Sequence, residues 1–151
     1  MTDAPLAESA RDDRPSELLL EHRFAARLTV LKTIRASVLA AARSCGFGEP
    51  EARDIVLAVD EACKNVIVHG YKGEDAGEIA LAIFRCEAGM ILHLRDFAPP
   101  VDPARIVPRD LADVQPGKLG THFIRSIMDS AELEPAPDGK GNLLRLAKWL
   151  E

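Results

Sequence analysis

Apolar residues recur at helical spacing in three stretches of the chain. The first covers residues 25–45 and ends at the sequence GFGEP, whose glycines and proline break a helix. The second begins near Pro50, a residue favoured in a first helical turn, and ends near His69, just before Gly70. The third covers residues 119–130, where apolar positions lie three or four residues apart.

Strand patterns lie on both sides of these helices. Residues 17–24 predict a first strand with weak alternation, and residues 78–86 and 90–96 predict a hairpin joined by the short connection EAG. Residues 131–135 and 141–150 predict a closing hairpin around PAPDGKG. This order favours an α+β fold, a two-layer sandwich whose mixed, mainly antiparallel sheet carries the helices on one face.

Two segments lie outside these elements. Residues 1–16 are polar and acidic, so we expect a flexible N-terminal tail followed by one folded domain over residues 17–151. Residues 97–118 contain five prolines and little periodicity, which predicts a long loop. Long loops inside a compact domain are usually functional or mobile.

Composition and charge narrow the classes of function. The formal net charge of -5 gives no basic surface for nucleic acid. No apolar run is long enough to cross a bilayer, and the N-terminus lacks the apolar centre of a secretory signal. We therefore expect a cytoplasmic protein that binds neither nucleic acid nor membrane. Its three widely spaced cysteines show no metal-binding pattern and are expected to be reduced and mostly buried: Cys45, Cys63 and Cys86.

Glu61, Asn65 and His69 follow one another at four-residue steps in the second predicted helix, so they lie on one stripe. An amide carbonyl is a poor zinc ligand but a good magnesium ligand, and a carboxylate one turn away can deprotonate a hydroxyl or a water. From spacing alone, a solvated polar face ending in a surface histidine remains the alternative. The apolar face of the helix is expected at Val56, Val59, Cys63 and Val66.

Asp96 ends the strand predicted over residues 90–96. It is in phase with Met90, Leu92 and Leu94, which would share an apolar face. Burying a carboxylate without hydrogen-bond donors is costly, and the amino group of a ligand would supply one. The alternative is that Asp96 has left the strand and starts a turn before the prolines.

Gly117 and Gly120 flank the start of the third predicted helix. Glycines let a backbone approach a ligand closely, a helix N-terminus offers free N–H groups to phosphate, and Lys118 adds positive charge. The segment lacks the Lys-Ser or Lys-Thr pair of the Walker motif, and alone it fits an ordinary loop-to-helix junction. Together with Asp96 and the helical row, however, it completes the parts of a nucleotide site, over which the long loop could close.

These segments also resemble a known family. DEACKNVIVHGY resembles the N box of the GHKL (histidine-kinase-like) ATPases, and its ending, His-Gly-Tyr, is most similar to the anti-sigma-factor serine/threonine kinases of bacterial partner-switching systems. LRDFAPPVDP and GKLGTHFIRSIMD resemble the two glycine boxes, and GNLLRLAKWL resembles the last strand. The resemblance covers residues 17–150 and implies the Bergerat-type ATPase fold.

The resemblance implies a role for each candidate residue. Asn65 would hold the Mg²⁺ that bridges the phosphates of ATP, and Glu61 would be the general base that takes the proton from a substrate serine. Asp96 would accept a hydrogen bond from the adenine amino group, and residues 98–115 would form a lid. His69 would be more structural than catalytic. The residues expected along the phosphates are Gly117, Lys118, Leu119, Gly120 and Thr121.

The resemblance also implies partners. Such kinases sequester a sigma factor and phosphorylate a STAS-type antagonist protein, whose unphosphorylated form releases the sigma factor. A sigma factor or another regulatory target, a STAS-domain antagonist and a second copy of the chain, forming a homodimer, are therefore the expected partners. The expected cofactors are ATP and Mg²⁺.

Two residues depart from the family pattern and motivate a second hypothesis. Ala98 replaces the usual glycine of the first box, where its methyl group would crowd the adenine, and Lys118 stands where the second box often has glycine. The alternative function is therefore a partner-switching binding module with weak or no catalysis. A detached histidine-kinase domain would need a phosphoacceptor, and the candidate His22 lies in a predicted strand. A metal hydrolase fits poorly, because no cluster of strong ligands surrounds Glu61.

Overall fold

The computed structural model of the protein describes residues 17–99 and 124–151. A short 3-10 turn precedes the first helix, and a π-helical turn follows the second; their bounds are Leu28–Val30 and Val66–Gly70. The helices are α1 (Leu31–Ser44) and α2 (Glu49–Asn65), and the strands are β1 (Glu17–Ala25), β2 (Glu78–Arg85), β3 (Gly89–Asp96), β4 (Ser130–Glu134) and β5 (Asn142–Trp149).

The five strands form one sheet in the order β1-β2-β3-β5-β4, and all four pairings are antiparallel. Both predicted hairpins, β2 with β3 and β4 with β5, are confirmed. The predicted α+β class is confirmed as well. Because β5 inserts between β3 and β4, the last strand of the chain lies directly beside the end of β3.

The main hydrophobic core lies between the helices and one face of the sheet. The inner face of β3 supplies Met90 and Leu92, both with no exposed surface, and α2 supplies Ile55. Since a core residue of this size costs about 2–5 kcal/mol when truncated to alanine, this layer fixes how α2 lies on the sheet. Other members of the core include Ile34, Val38, Val59, Cys63, Ile79, Leu81 and Ile83.

The beginning of the chain departs from the pattern in two ways. The weak alternation of β1 has a physical cause, because the pairing register shifts between Leu18 and Leu20 at a bulge. The first helix was predicted from residue 25 but begins at Leu31. Sheet-like contacts continue past β1 instead, since Ala26 donates its N–H to the carbonyl of Gly77 and accepts from the N–H of Asp75.

The other predicted helices also end early. The α-helical hydrogen bonds of α2 stop at Asn65, and the turn up to Gly70 is π-helical. Residues 124–127 are helical, but the prediction that this helix reaches residue 130 is wrong, because Ser130 already belongs to β4. Residues 1–16 and 100–123, which hold the predicted tail, most of the long loop and the start of this helix, lie outside the described residues.

Two other expectations concern the side chains and the surface. All three cysteines are free and buried, as predicted. Burial raises the pKa of the Cys45 thiol to about 11 and that of Cys63 to about 12, so both remain protonated at neutral pH. In the part of the chain that the structure describes, no helix is both long and apolar enough to cross a membrane.

Candidate functional site

Asp96 is the last residue of β3 and is only 5% exposed, so the carboxylate predicted on the apolar face is indeed buried. Its Oδ1 accepts two hydrogen bonds of 2.9 Å, from the backbone N–H of Ala98 and from Nδ2 of Asn142. The first of these bonds forms an Asx turn, so Asp96 both ends the strand and starts the turn. Burial raises the pKa of the carboxyl, and the two hydrogen bonds partly offset this effect.

Asn142 is a candidate site residue that the sequence interpretation missed. It pairs with Asp96 in the register of β3 with β5, is 9% exposed, and also donates to the carbonyl of Pro99 over 3.2 Å. A signal was present, because Asn142 is in phase with Leu144 and Leu146 on the inner face of its strand, as Asp96 is with the apolar residues of β3.

Gly141 allows β5 to approach the Asp96 backbone this closely. Its φ is +72°, a conformation that side chains disfavour. A methyl group added at Gly141 would lie 2.0 Å from the carbonyl oxygen of Asp96 and 2.7 Å from Cα of Phe97. Only glycine therefore fits at this position without displacing the turn that carries the carboxylate.

Glu61 and Asn65 lie one turn apart near the end of α2, and both are half-buried; the Glu61 side chain is 31% exposed. The preceding residue, Asp60, is buried and receives two cations: Nη1 of Arg35 lies 2.8 Å from Oδ1, and Nζ of Lys64 lies 3.0 Å from Oδ2. Lys64 also lies 4.0 Å from Oε1 of Glu61. This part of α2 thus carries the partly exposed carboxylate of Glu61, the amide of Asn65 and, at Asp60, an ion pair to α1.

The end of the helical row meets the turn after Asp96. A methyl group on Gly70 would lie 3.5 Å from Cβ of Ala98, so these two residues are neighbours. Tyr71 accepts a hydrogen bond from the N–H of Phe97 over 2.9 Å, and burial raises the pKa of its phenol. His69, the third member of the predicted row, is exposed.

The remaining predicted site residues lie outside the described residues. These are the residues expected along the phosphates, Gly117, Lys118, Leu119, Gly120 and Thr121, together with the lid beyond Pro99. Within residues 17–99 and 124–151, no three His, Cys, Asp or Glu side chains cluster as a metal site would require. A cation at Asn65 would therefore take most of its ligands from water or a bound phosphate, which is the usual arrangement for magnesium.

Comparison with known proteins gives a family and several relatives. The family described as the histidine kinase-like ATPase domain matches residues 24–148. The chain is also similar to serine-protein kinases RsbW from Bacillus cereus (strain AH187), Bacillus anthracis and Bacillus thuringiensis (strain Al Hakam). Each is 26% identical over 122 residues, an alignment that covers 76% of this chain and 76% of the relative.

The family match covers the helical row, the Asp96 strand and the last strand together. The resemblance drawn from the N box and the glycine boxes is thereby confirmed. The chain belongs to the family of histidine kinase-like ATPase domains.

Proposed function

We propose that the protein is an ATP-dependent protein serine/threonine kinase of a partner-switching system. In this proposal it binds ATP with Mg²⁺, phosphorylates a STAS-domain antagonist on serine or threonine, and holds a sigma factor or another regulatory target. The similarity to serine-protein kinases RsbW supports the reaction class. The motifs and the geometry around Asp96 support the nucleotide.

The observation that carries the proposal is the burial and hydrogen bonding of the Asp96 carboxylate. Both hydrogen bonds that the described residues donate to it reach Oδ1, and in this proposal Oδ2 accepts one from the ligand. A buried carboxylate gains from a further donor, and the 6-amino group of adenine is such a donor. A 6-oxo purine presents an oxygen at the same position, so the site favours adenine over hypoxanthine or guanine.

The surroundings of Ala98 bear on whether its methyl group would crowd the adenine. Ala98 is 2% exposed, and its methyl group lies beside Gly70, which has no side chain to compete for that space. The methyl group is therefore accommodated within the protein, which supports retention of nucleotide binding despite the missing glycine.

Each residue of the helical row has a role in the proposed reaction. The hydroxyl oxygen of the substrate serine forms a bond to the γ-phosphorus of ATP, the bond from that phosphorus to the bridging oxygen breaks, and ADP leaves. Glu61 takes the hydroxyl proton, for which its partial exposure suits it. Asn65 would hold Mg²⁺ through its amide oxygen; the bound ion would neutralise phosphate charge.

The second candidate function is a binding module with the same fold and little catalysis. It is favoured by Lys118, which replaces a glycine expected beside the phosphates. In both functions the regulatory target and the antagonist are bound by the protein surface, and a homodimer is the proposed assembly.

Calorimetry with ATP, with and without Mg²⁺, tests the proposal first. Magnesium-dependent binding is the expected result, and an Asp96→Asn variant should lose it. If the wild-type protein binds no ATP at millimolar concentration, the kinase proposal fails and the binding module takes its place.

Phosphate transfer separates the two candidate functions. A purified STAS-domain antagonist should become phosphorylated on serine or threonine, and an antagonist whose acceptor is changed to alanine should not. Glu61→Gln should bind ATP like the wild type and transfer phosphate at least about 100-fold more slowly, since general bases contribute roughly this factor. Full activity of this variant would remove Glu61 as the base.

A further inference from the structure

Tyr71 contacts three separate segments of the chain. It follows the π-helical turn Val66–Gly70 directly, and its Oη donates a hydrogen bond to the carbonyl of Glu78 over 2.6 Å. The same oxygen accepts a hydrogen bond from the N–H of Phe97 over 2.9 Å. One phenol therefore ties the end of the helical row to the first residue of β2 and to the first residue after β3.

Two features of the backbone direct the phenol to this position. The N–H of Tyr71 donates to the carbonyl of Val66 over 2.8 Å, a five-residue step that is wider than an α-helical turn. The ring then lies on Gly77, where an added methyl group would be 2.5 Å from two of its carbons and 2.7 Å from Oη. The π-helical turn thus directs the Tyr71 ring toward Gly77, where the absence of a side chain leaves room for it.

Phe97, the residue held by the phenol, is also fixed through its own side chain. The guanidinium of Arg95 lies 4.8 Å from the centre of the Phe97 ring, and that of Arg23 lies 5.2 Å from it. Cations at these distances are attracted to the ring face. The N–H of Phe97 is thus bonded to Tyr71, and its ring, although the residue is 39% exposed, lies near two cations.

Phe97 lies between the two ends of the Asx turn. The N–H of Ala98 donates to Oδ1 of Asp96, so the orientation of the carboxylate depends on the backbone of the intervening Phe97. Releasing the Phe97 N–H would let this peptide turn and would loosen the bond that holds Oδ1.

We infer that Tyr71 is a positioning residue for recognition of the nucleotide base: its hydroxyl fixes Phe97, and through Phe97 it holds the Asp96 carboxylate ready for a 6-amino group. The inference rests on the proposed function, because it concerns the base that Asp96 would bind. It assigns Tyr71 to selectivity for the base, whereas Asn65 would hold Mg²⁺ at the phosphates and Glu61 would take the proton of the substrate hydroxyl.

Tyr71→Phe tests the inference, because it keeps the ring on Gly77 and removes only the hydroxyl. Ser44→Ala is the matched control, since it also removes one hydroxyl that bonds a backbone carbonyl, Ala41 O at 2.9 Å, in a distant part of α1. Dissociation constants for ATP and for inosine triphosphate, a 6-oxo analogue, would be measured for the three proteins.

The ratio of the two affinities is the decisive quantity. Tyr71→Phe should weaken ATP binding about three- to tenfold, the effect of losing one hydrogen bond, and should leave inosine triphosphate binding unchanged. A merely structural role would weaken both nucleotides in the same proportion and leave the ratio intact. Ser44→Ala should change neither affinity.

Amide hydrogen exchange gives a second readout that needs no nucleotide. The Phe97 amide should exchange faster in Tyr71→Phe than in the wild type, while amides within β3 keep their protection. An unchanged ATP to inosine triphosphate ratio, or an unchanged Phe97 amide, overturns the inference and leaves the proposed function standing. Wild-type protein that binds neither nucleotide overturns the proposed function and the inference with it.

Discussion

Asn142 donates a hydrogen bond from Nδ2 to Oδ1 of Asp96 over 2.9 Å, and the two residues also face each other in the pairing of β5 with β3. The strand register therefore fixes the distance between the amide and the carboxylate. Since both residues are buried, the bond is shielded from water and holds one carboxylate oxygen in place.

Replacing Asn142 with alanine should destabilise the fold and weaken ATP binding together. The substitution leaves the buried Asp96 with one donor fewer, which costs about 1–3 kcal/mol of unfolding free energy. Urea denaturation measures this loss, and calorimetry measures the affinity. Asn142→Ala with wild-type stability and wild-type ATP affinity would show that the amide does not hold the carboxylate.

Replacing Asp96 with asparagine should separate stability from function. Asparagine keeps an oxygen that can accept from Ala98 and Asn142, but it places an amide where adenine needs an acceptor. ATP binding should be lost. Unfolding free energy at neutral pH should stay the same or rise, because the variant buries no charge.

The same pair of proteins gives a pH dependence with a defined sign. The pKa of Asp96 is raised above its ordinary value of 3.8, mainly by burial. The folded protein therefore binds this proton more tightly than the unfolded chain, and the stabilisation is complete below 3.8 and lost as pH rises through the raised pKa. The stability of the wild type relative to Asp96→Asn should accordingly fall across that window. If the free energy of unfolding of the wild type relative to Asp96→Asn instead rises with pH, the raised pKa of Asp96 is contradicted.

Gly141 and Gly139 form a matched pair for testing the close approach of β5 to Asp96. Both have φ of +72°, but a methyl group at Gly139 would meet no atom within 4 Å, whereas one at Gly141 would meet the Asp96 carbonyl at 2.0 Å. Gly139→Ala should cost about 1–2 kcal/mol, from its backbone conformation alone. Gly141→Ala should lower the free energy of unfolding by about 1–3 kcal/mol more than Gly139→Ala does, because of the collision. It should also weaken ATP binding. Equal losses in the two variants would remove the steric argument.

Asn65→Ala should abolish the magnesium dependence of ATP binding without unfolding the domain. Asn65 is half-buried at the end of α2, so its truncation leaves the core intact. Calorimetry with and without Mg²⁺ and thermal melting would measure the two effects. His69→Ala is the control, because His69 is exposed and should contribute nothing to cation binding. Unchanged magnesium-dependent affinity in Asn65→Ala would exclude it as the ligand.

The parts of the site that were predictable are those whose signal is local. Asp96 is in phase with Leu92 and Leu94 along one strand, and this period of two places the carboxylate on the buried face. Glu61 and Asn65 stand four residues apart on one helix, and this spacing alone places them one turn apart. Both relationships depend only on neighbouring residues.

The parts that were missed depend on residues far apart in the chain. Asn142 lies 46 residues from Asp96, and its role appears only when the register of β5 against β3 is known. The π-helical turn before Tyr71 has no distinct apolar period, so the pattern predicted an α-helix through it. The hydrogen bond from Phe97 to Tyr71 follows from that turn and was therefore beyond the sequence pattern.

The ion pair between Arg35 of α1 and Asp60 of α2 gives a last prediction. Asp60 is buried on α2 beside Glu61, and Arg35 reaches it from α1 over 2.8 Å. Because Asp60 is buried while the Arg35 side chain is 43% exposed, a double-mutant cycle with Arg35→Met and Asp60→Asn should give a coupling energy of about 0.5–2 kcal/mol. The exposed pair of Arg23 and Glu78, 3.7 Å apart, is the control and should give less than about 0.5 kcal/mol. If the two cycles give equal coupling energies, burial of Asp60 does not strengthen the ion pair between α1 and α2.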